Sequence, residues 1–193
     1  MSAGGHGPDH GHANPENRKV ALLIAVLALV LAFSETLGKS AQTAALSYNI
    51  EASNLWAFFQ AKTIRMTTVR TAAEQADLDL KQAADPNAKE AIEQRISSWR
   101  KAAERYDSEP ETREGRKELA ARAKGAEEKR DKSLAAYHHY ELASGAVQIA
   151  IVLASAAIIT GMMWLTWLAG GLGTIGVIFC LIGFFAPPSI QLF

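Results

Sequence analysis

Cysteine occurs once, at position 180, so no disulfide can join two parts of this chain, and the redox compartment stays open. Paired-cysteine zinc motifs are absent, as is His-Glu-x-x-His. The one glycine-rich run, Gly170-Gly-Leu-Gly-Thr-Ile-Gly176, lies inside an apolar stretch where no phosphate would bind. Excess charge of one sign is missing too. The 20 Lys and Arg are balanced by 20 Asp and Glu, which leaves no basic patch and removes nucleic acid as a partner. Ser, His and acidic residues occur, but no spacing gathers them. The chain is therefore expected to be non-enzymatic, with no catalytic residue and no cofactor.

Charge is also missing locally, and this gives the chain its organisation. Three stretches, about Val20–Leu37, Leu142–Trp164 and Leu168–Ala186, carry almost none. Each is long enough, or nearly so, to cross a hydrocarbon core of roughly 30 Å as a helix. The region between the first two holds 18 of the 20 Lys and Arg, with acids among them. The expected fold is an all-α membrane protein with three transmembrane helices, at 19–38, 142–165 and 168–186. A water-exposed helical domain over 39–141 lies between the first and second. Membrane lipids are then its first partners.

Proline is scarce where helices are expected. None occurs between Glu35 and Asp85, and Gly38 is the only glycine there, so the first helix should run on from 39 to about 84. From Tyr48, steps of four and three give Ala52, Leu55, Phe59, Lys62, Met66, Val69, Ala73, Ala76 and Leu80. Only Lys62 breaks this coiled-coil seam. Asp85-Pro86 predicts a restart, with Asp85 capping a second helix over 87–107. Ile92, Ile96, Trp99, Ala103 and Tyr106 form its seam. Ser108 with Glu111 resembles a capping box for a third helix over 109–141. The lengths predict an outgoing rod and a kinked returning rod, a helical hairpin; a compact three-helix bundle is the alternative. A thin hairpin buries little surface, so a second copy or another membrane-complex subunit is expected against it.

In the apolar stretches, small residues recur at helical spacing, among them Gly173, Gly176 and Gly183 in the third. Small seams let helices approach closely in lipid. The turn between the second and third spans is expected around Ala169–Gly171, with Trp164 and Trp167 beside it at the interface. Glu35 and Gln148 are the intramembrane polar candidates. Glu35 has Lys39 one turn on, an i,i+4 pair, and Gln148 suits an interhelical hydrogen bond.

Residues 1–18 form a Gly/His-rich tail, expected to be disordered, and 187–193 a short C-terminal tail. His6, His10 and His12 are weak metal candidates, since imidazole suits Zn, Cu and Ni. Arg18-Lys19 before an apolar run imitates a secretory signal, but no small-x-small cleavage site follows, which favours an uncleaved first span. His138 and His139 are expected at the surface. Lys39, Lys124, Lys129, Arg130 and Lys132 lean the middle domain toward the cytoplasm, while Arg18-Lys19 argues the reverse.

The stretch Asn49-Ile-Glu-Ala-Ser-Asn-Leu-Trp-Ala-Phe-Phe-Gln-Ala-Lys62 is distinctive. Together with Gln148-Ile-Ala-Ile-Val-Leu-Ala-Ser155, it resembles an uncharacterised bacterial membrane-protein family, domain of unknown function 4337. The resemblance covers nearly the whole chain after the tail. It implies a bacterial, three-span protein of the inner membrane, and supplies no activity or catalytic residue. Independently, Trp56, Phe58 and Phe59 form a bulky group with Gln60 and Lys62 beside it. Either it packs on the returning helix or it meets a partner, since aromatics next to polar groups favour interfaces. A self-associating scaffold is the leading expectation. An accessory subunit of a transport complex and a metal-responsive sensor are the others.

Overall fold

The computed structural model describes residues 15–186. All regular structure among them is helical: α1 Pro15–Gln82, α2 Pro86–Asp107, α3 Arg116–Thr160 and α4 Met163–Phe185. Three of these, α1, α3 and α4, contain segments long and apolar enough to cross a membrane. Packing divides the described chain into two units. One takes residues 15–42 and 133–186, the other Thr43–Lys132.

The 68 residues of α1 hold no proline after the first, where the missing N–H costs nothing. At the next break Asp85 caps α2, its carboxylate accepting from the Asn87 amide at 3.1 Å, with Pro86 in the first position.

In the 43–132 unit two clusters form along α1. Ala52 and Leu55, with Trp56 and Phe59, pack against Leu119, Ala123 and Ala126 of α3. Further along, Ala73, Ala76 and Leu80 pack against Ile92, Ile96 and Trp99 of α2. So α1 is the common partner, taking α3 on its earlier turns and α2 on its later ones. Alanine takes five of the eight buried positions in these clusters, which keeps the helix axes close.

The start of α3 corrects the sequence reading. The helix begins at Arg116, not 109, and Ser108 with Glu111 is not its capping box. Ser108 ends α2 instead, its amide bonded to the Glu104 carbonyl. Its hydroxyl donates to Glu118 at 2.6 Å, and the Glu109 amide donates to the same carboxylate at 3.2 Å. Residues 109–115 form a turn with Arg113 at φ 58°. Gly115 closes it: a Cβ there would collide with the Glu109 amide and the Glu118 carboxylate and lie 2.7 Å from Ser108 Cα. Pro110 gave no sign of so wide a turn, because it suits a first helical position equally well.

In the other unit, Val20 and Leu27 of α1 pack with Val147, Ala150 and Ala154 of α3 and Ala169 of α4. Many other large apolar residues face outward: Leu22, Phe33, Val152, Ile159, Ile178 and Phe184 are half to more than four-fifths exposed. The turn between α3 and α4 is at Gly161-Met162, not Ala169–Gly171, which lie within α4. Gly161 has φ +70°, a left-handed conformation that glycine alone adopts without strain. The paired glycines 170–171 looked like the stronger break, but they are held in helix.

Candidate functional site

The aromatic stretch of α1 divides between two faces. Trp56 and Phe59 turn to α3, ring edge to ring face with centroids 5.4 Å apart. Trp56 Nε1 donates to Glu127 at 2.9 Å, and the Arg116 guanidinium lies over the Phe59 ring at 5.1 Å. Phe58 is more than a third exposed, and Gln60 is exposed.

Lys62, the one charge on the seam, is only 7% exposed. A buried ammonium needs compensation, and its neighbours supply it. Its Nζ lies 3.8 Å from carboxylate oxygens of both Glu109 and Glu114, in the turn between α2 and α3. It also sits over the Phe58 ring at 5.5 Å and the Tyr106 ring at 5.6 Å. Sequence reasoning singled out Lys62 and put Tyr106 on the seam of α2, but missed Glu109 and Glu114. A lysine at a seam position was the available signal, since it requires acids from whatever packs opposite.

The same turn holds a second ionic group. Lys117 Nζ is 2.8 Å from Asp107, and Arg116 Nη1 is 3.4 Å from it. The Lys117 hydrogen bond, opposed in part by desolvation, holds the Asp107 carboxyl below its ordinary value. The Ser108 hydroxyl, with the Glu109 amide, does the same for Glu118. This constellation fixes the turn. Most of its donors and acceptors are paired with one another, although the buried Nε of Arg116 has no hydrogen-bond partner.

In the other unit, Gln148 Nε2 donates to Glu35 Oε1 at 3.3 Å. A cleft of about 310 Å³ adjoins this pair, lined by Ser34, Glu35, Gln42, Tyr137, Tyr140 and Glu141. Ser34 is buried, and its hydroxyl has no hydrogen-bond partner. His138 is exposed and lies 3.7 Å from Glu141. His139 corrects the sequence reading: it is buried, stacked on Phe179 with ring centroids 6.2 Å apart. Its side of α3 faces α4, which the charged residues nearby did not reveal.

Three of the five glycines of α4, Gly173, Gly176 and Gly183, face the chain's own helices, while Gly170 and Gly171 face open space. A Cβ on Gly173 would meet Leu27, one on Gly176 would meet Val147, and one on Gly183 would lie 3.1 Å from His139 and Tyr140. The glycine seam thus joins α4 to α1 and α3 within one chain. Among the described residues no three His, Cys, Asp or Glu side chains gather as metal ligands. His6, His10 and His12 lie outside the described residues.

The family described as Domain of unknown function (DUF4337) matches residues 16–186. The chain belongs to that family. The match takes in both units, including the Lys62 cluster and the Glu35–Gln148 pair. No curated protein and no solved structure matches the chain.

Proposed function

We propose that this DUF4337 protein is a non-enzymatic, three-span scaffold of the bacterial inner membrane that self-associates through its helices. The spans are the apolar parts of α1, α3 and α4, with the 43–132 unit on the cytoplasmic side. The observation that carries the membrane reading is the inverted packing of the 15–42/133–186 unit. Small residues such as Ala150, Ala154, Ala169, Gly173 and Gly176 sit beside Val20, Leu27 and Val147 in its interior, while Leu22, Phe33, Val152, Ile159 and Phe184 face out. That distribution suits lipid as solvent, where helices associate through small residues. The scaffold reading draws on the 43–132 unit, whose polar clusters are engaged in holding helices together.

The test is the native mass of the complex extracted from its own membrane in mild detergent, with every co-purifying protein identified. A multiple of this chain alone is expected. A stoichiometric second protein would replace the scaffold with an accessory subunit. The Glu35–Gln148 pair beside its cleft favours that second reading specifically. Under it, Glu35→Gln with Gln148→Leu would reduce the flux of the host complex.

A further inference from the structure

Two acidic residues mark where apolar sequence gives way to charge. Glu35 is the first charge on α1 after Lys19, and Glu141 is the last on α3. Both line the cleft of about 310 Å³ between those helices, together with Ser34, Lys39, Tyr137 and Tyr140. The helices come close beside it, since a Cβ on Gly38 would lie 3.4 Å from the Tyr140 Cβ. Two carboxylates on the lining outnumber its one lysine. Glu141 has His138 at 3.7 Å, which compensates it only when protonated. Glu35 accepts from Gln148, a neutral amide, at 3.3 Å.

Ser34 adds a second, independent observation. It is fully buried, it belongs to the lining of the same cleft, and its hydroxyl has no hydrogen-bond partner. Other hydroxyls on these helices bond back to the carbonyl four residues earlier, as Thr36 does to Ala32 at 2.7 Å and Ser155 to Ile151 at 2.8 Å. Ser34 does not. A buried hydroxyl left unpaired is costly, and at the wall of a cleft a ligand that pairs with it accounts for its presence.

We propose that this cleft binds the primary ammonium of an aminophospholipid headgroup. This rests on the three-span reading, and it holds for a scaffold and for an accessory subunit alike. With the apolar parts of α1 and α3 in the bilayer, the cleft opens at the end of both spans, where lipid headgroups surround the chain. Glu35 and Glu141 compensate a positive charge, and the rings of Tyr137 and Tyr140 suit a cation. A primary ammonium carries three N–H donors, enough for both carboxylates and the Ser34 hydroxyl. A quaternary ammonium has none to give. A headgroup with only negative charge would meet two carboxylates. Lys39 suits the phosphate that the same zwitterionic headgroup carries.

The experiment uses the full chain in mild detergent, with native mass spectrometry counting the lipids retained. Phosphatidylethanolamine, phosphatidylglycerol and phosphatidylcholine are titrated in separately, and the first should be retained several-fold over the other two. Glu35→Gln with Glu141→Gln keeps side-chain size and should weaken that retention about tenfold, because hydrogen bonds to charged groups are the strong ones. Ser34→Ala should weaken it several-fold while leaving the lipid-free protein equally or more stable, an outcome that a merely structural serine would not give. Glu93→Gln, exposed on α2, is the control and should change nothing. Equal retention of the three lipids, or a preference that survives in both cleft variants, overturns the site and leaves the membrane reading standing. Phosphoethanolamine without acyl chains binding as tightly as the lipid overturns the bilayer as the source. A chain that stays in solution without detergent overturns the membrane reading and the site with it.

Discussion

Replacing Lys62 separates the worth of its stem from that of its charge. In Lys62→Ala three buried methylenes disappear, and at about 0.8 kcal/mol each this puts the loss near 2–3 kcal/mol. In Lys62→Met an unbranched chain of similar length still fills the seam. What is lost then is the ammonium, which faces Phe58 and Tyr106 and lies 3.8 Å from each of two carboxylates. Glu114 is half exposed, so that contact is screened by water. Partly exposed ion pairs contribute about 0–1 kcal/mol, and an aromatic face adds about 0.5–1 kcal/mol. Against this stands the cost of holding an ammonium out of water, which a methionine does not incur. Met should therefore lie within about 1 kcal/mol of the wild type, and Ala well below both. Urea unfolding of the full chain in mild detergent, followed by hydrogen exchange over 105–120, measures the order. If Met falls as far as Ala, the charge and not the stem holds the turn, and the reasoning fails.

Gly176→Leu should destabilise the α3–α4 pair by about 1–3 kcal/mol through overpacking, because a Cβ there meets Val147 and lies 3.1 Å from the Ala143 carbonyl, which cannot move aside. Gly171→Leu is the matched control, with nothing within 4 Å of its Cβ, and equal losses in detergent unfolding would count against the packing described here. Acid should loosen the α2–α3 turn before the rest of the 43–132 unit. The folded Asp107 and Glu118 carboxyls lie below their ordinary 3.8 and 4.5, so their contribution is complete above those values and disappears as pH falls through the lowered ones. Hydrogen exchange over 105–118 across that range reads this directly, and Glu118→Gln should flatten its part of the response.

Much of the helical layout was legible because it follows from absence. No proline or charge run interrupts α1, and an Asp-Pro pair announces α2. The α2–α3 turn was not legible. Its stop depends on Glu118, ten residues beyond Ser108, folding back onto it, and on a left-handed Arg113, a residue type that rarely marks such a site. The α3–α4 turn was misplaced for a related reason: Gly161 is a lone glycine, and glycine is common within apolar helices. The partners of Lys62 were beyond pattern reading. Period told that position 62 faces inward, but the identity of Glu109 and Glu114 as its neighbours depends on where a turn closes. His139 is similar, since its burial is decided by α4 and not by its own helix.

The link between α3 and α4 is two residues long, and no Lys, Arg, Asp or Glu occurs from Leu142 to Ala186. For a pair of helices entering a bilayer, moving a charged loop across is the costly step. Here that step has nothing charged to carry. Under the three-span proposal, the pair has no cationic anchor of its own to select a side, so the basic residues upstream, Lys124, Lys129, Arg130 and Lys132, would set its direction of insertion. Reversing those four charges would test which end of the chain decides topology, with the apolar pair following as a passive passenger.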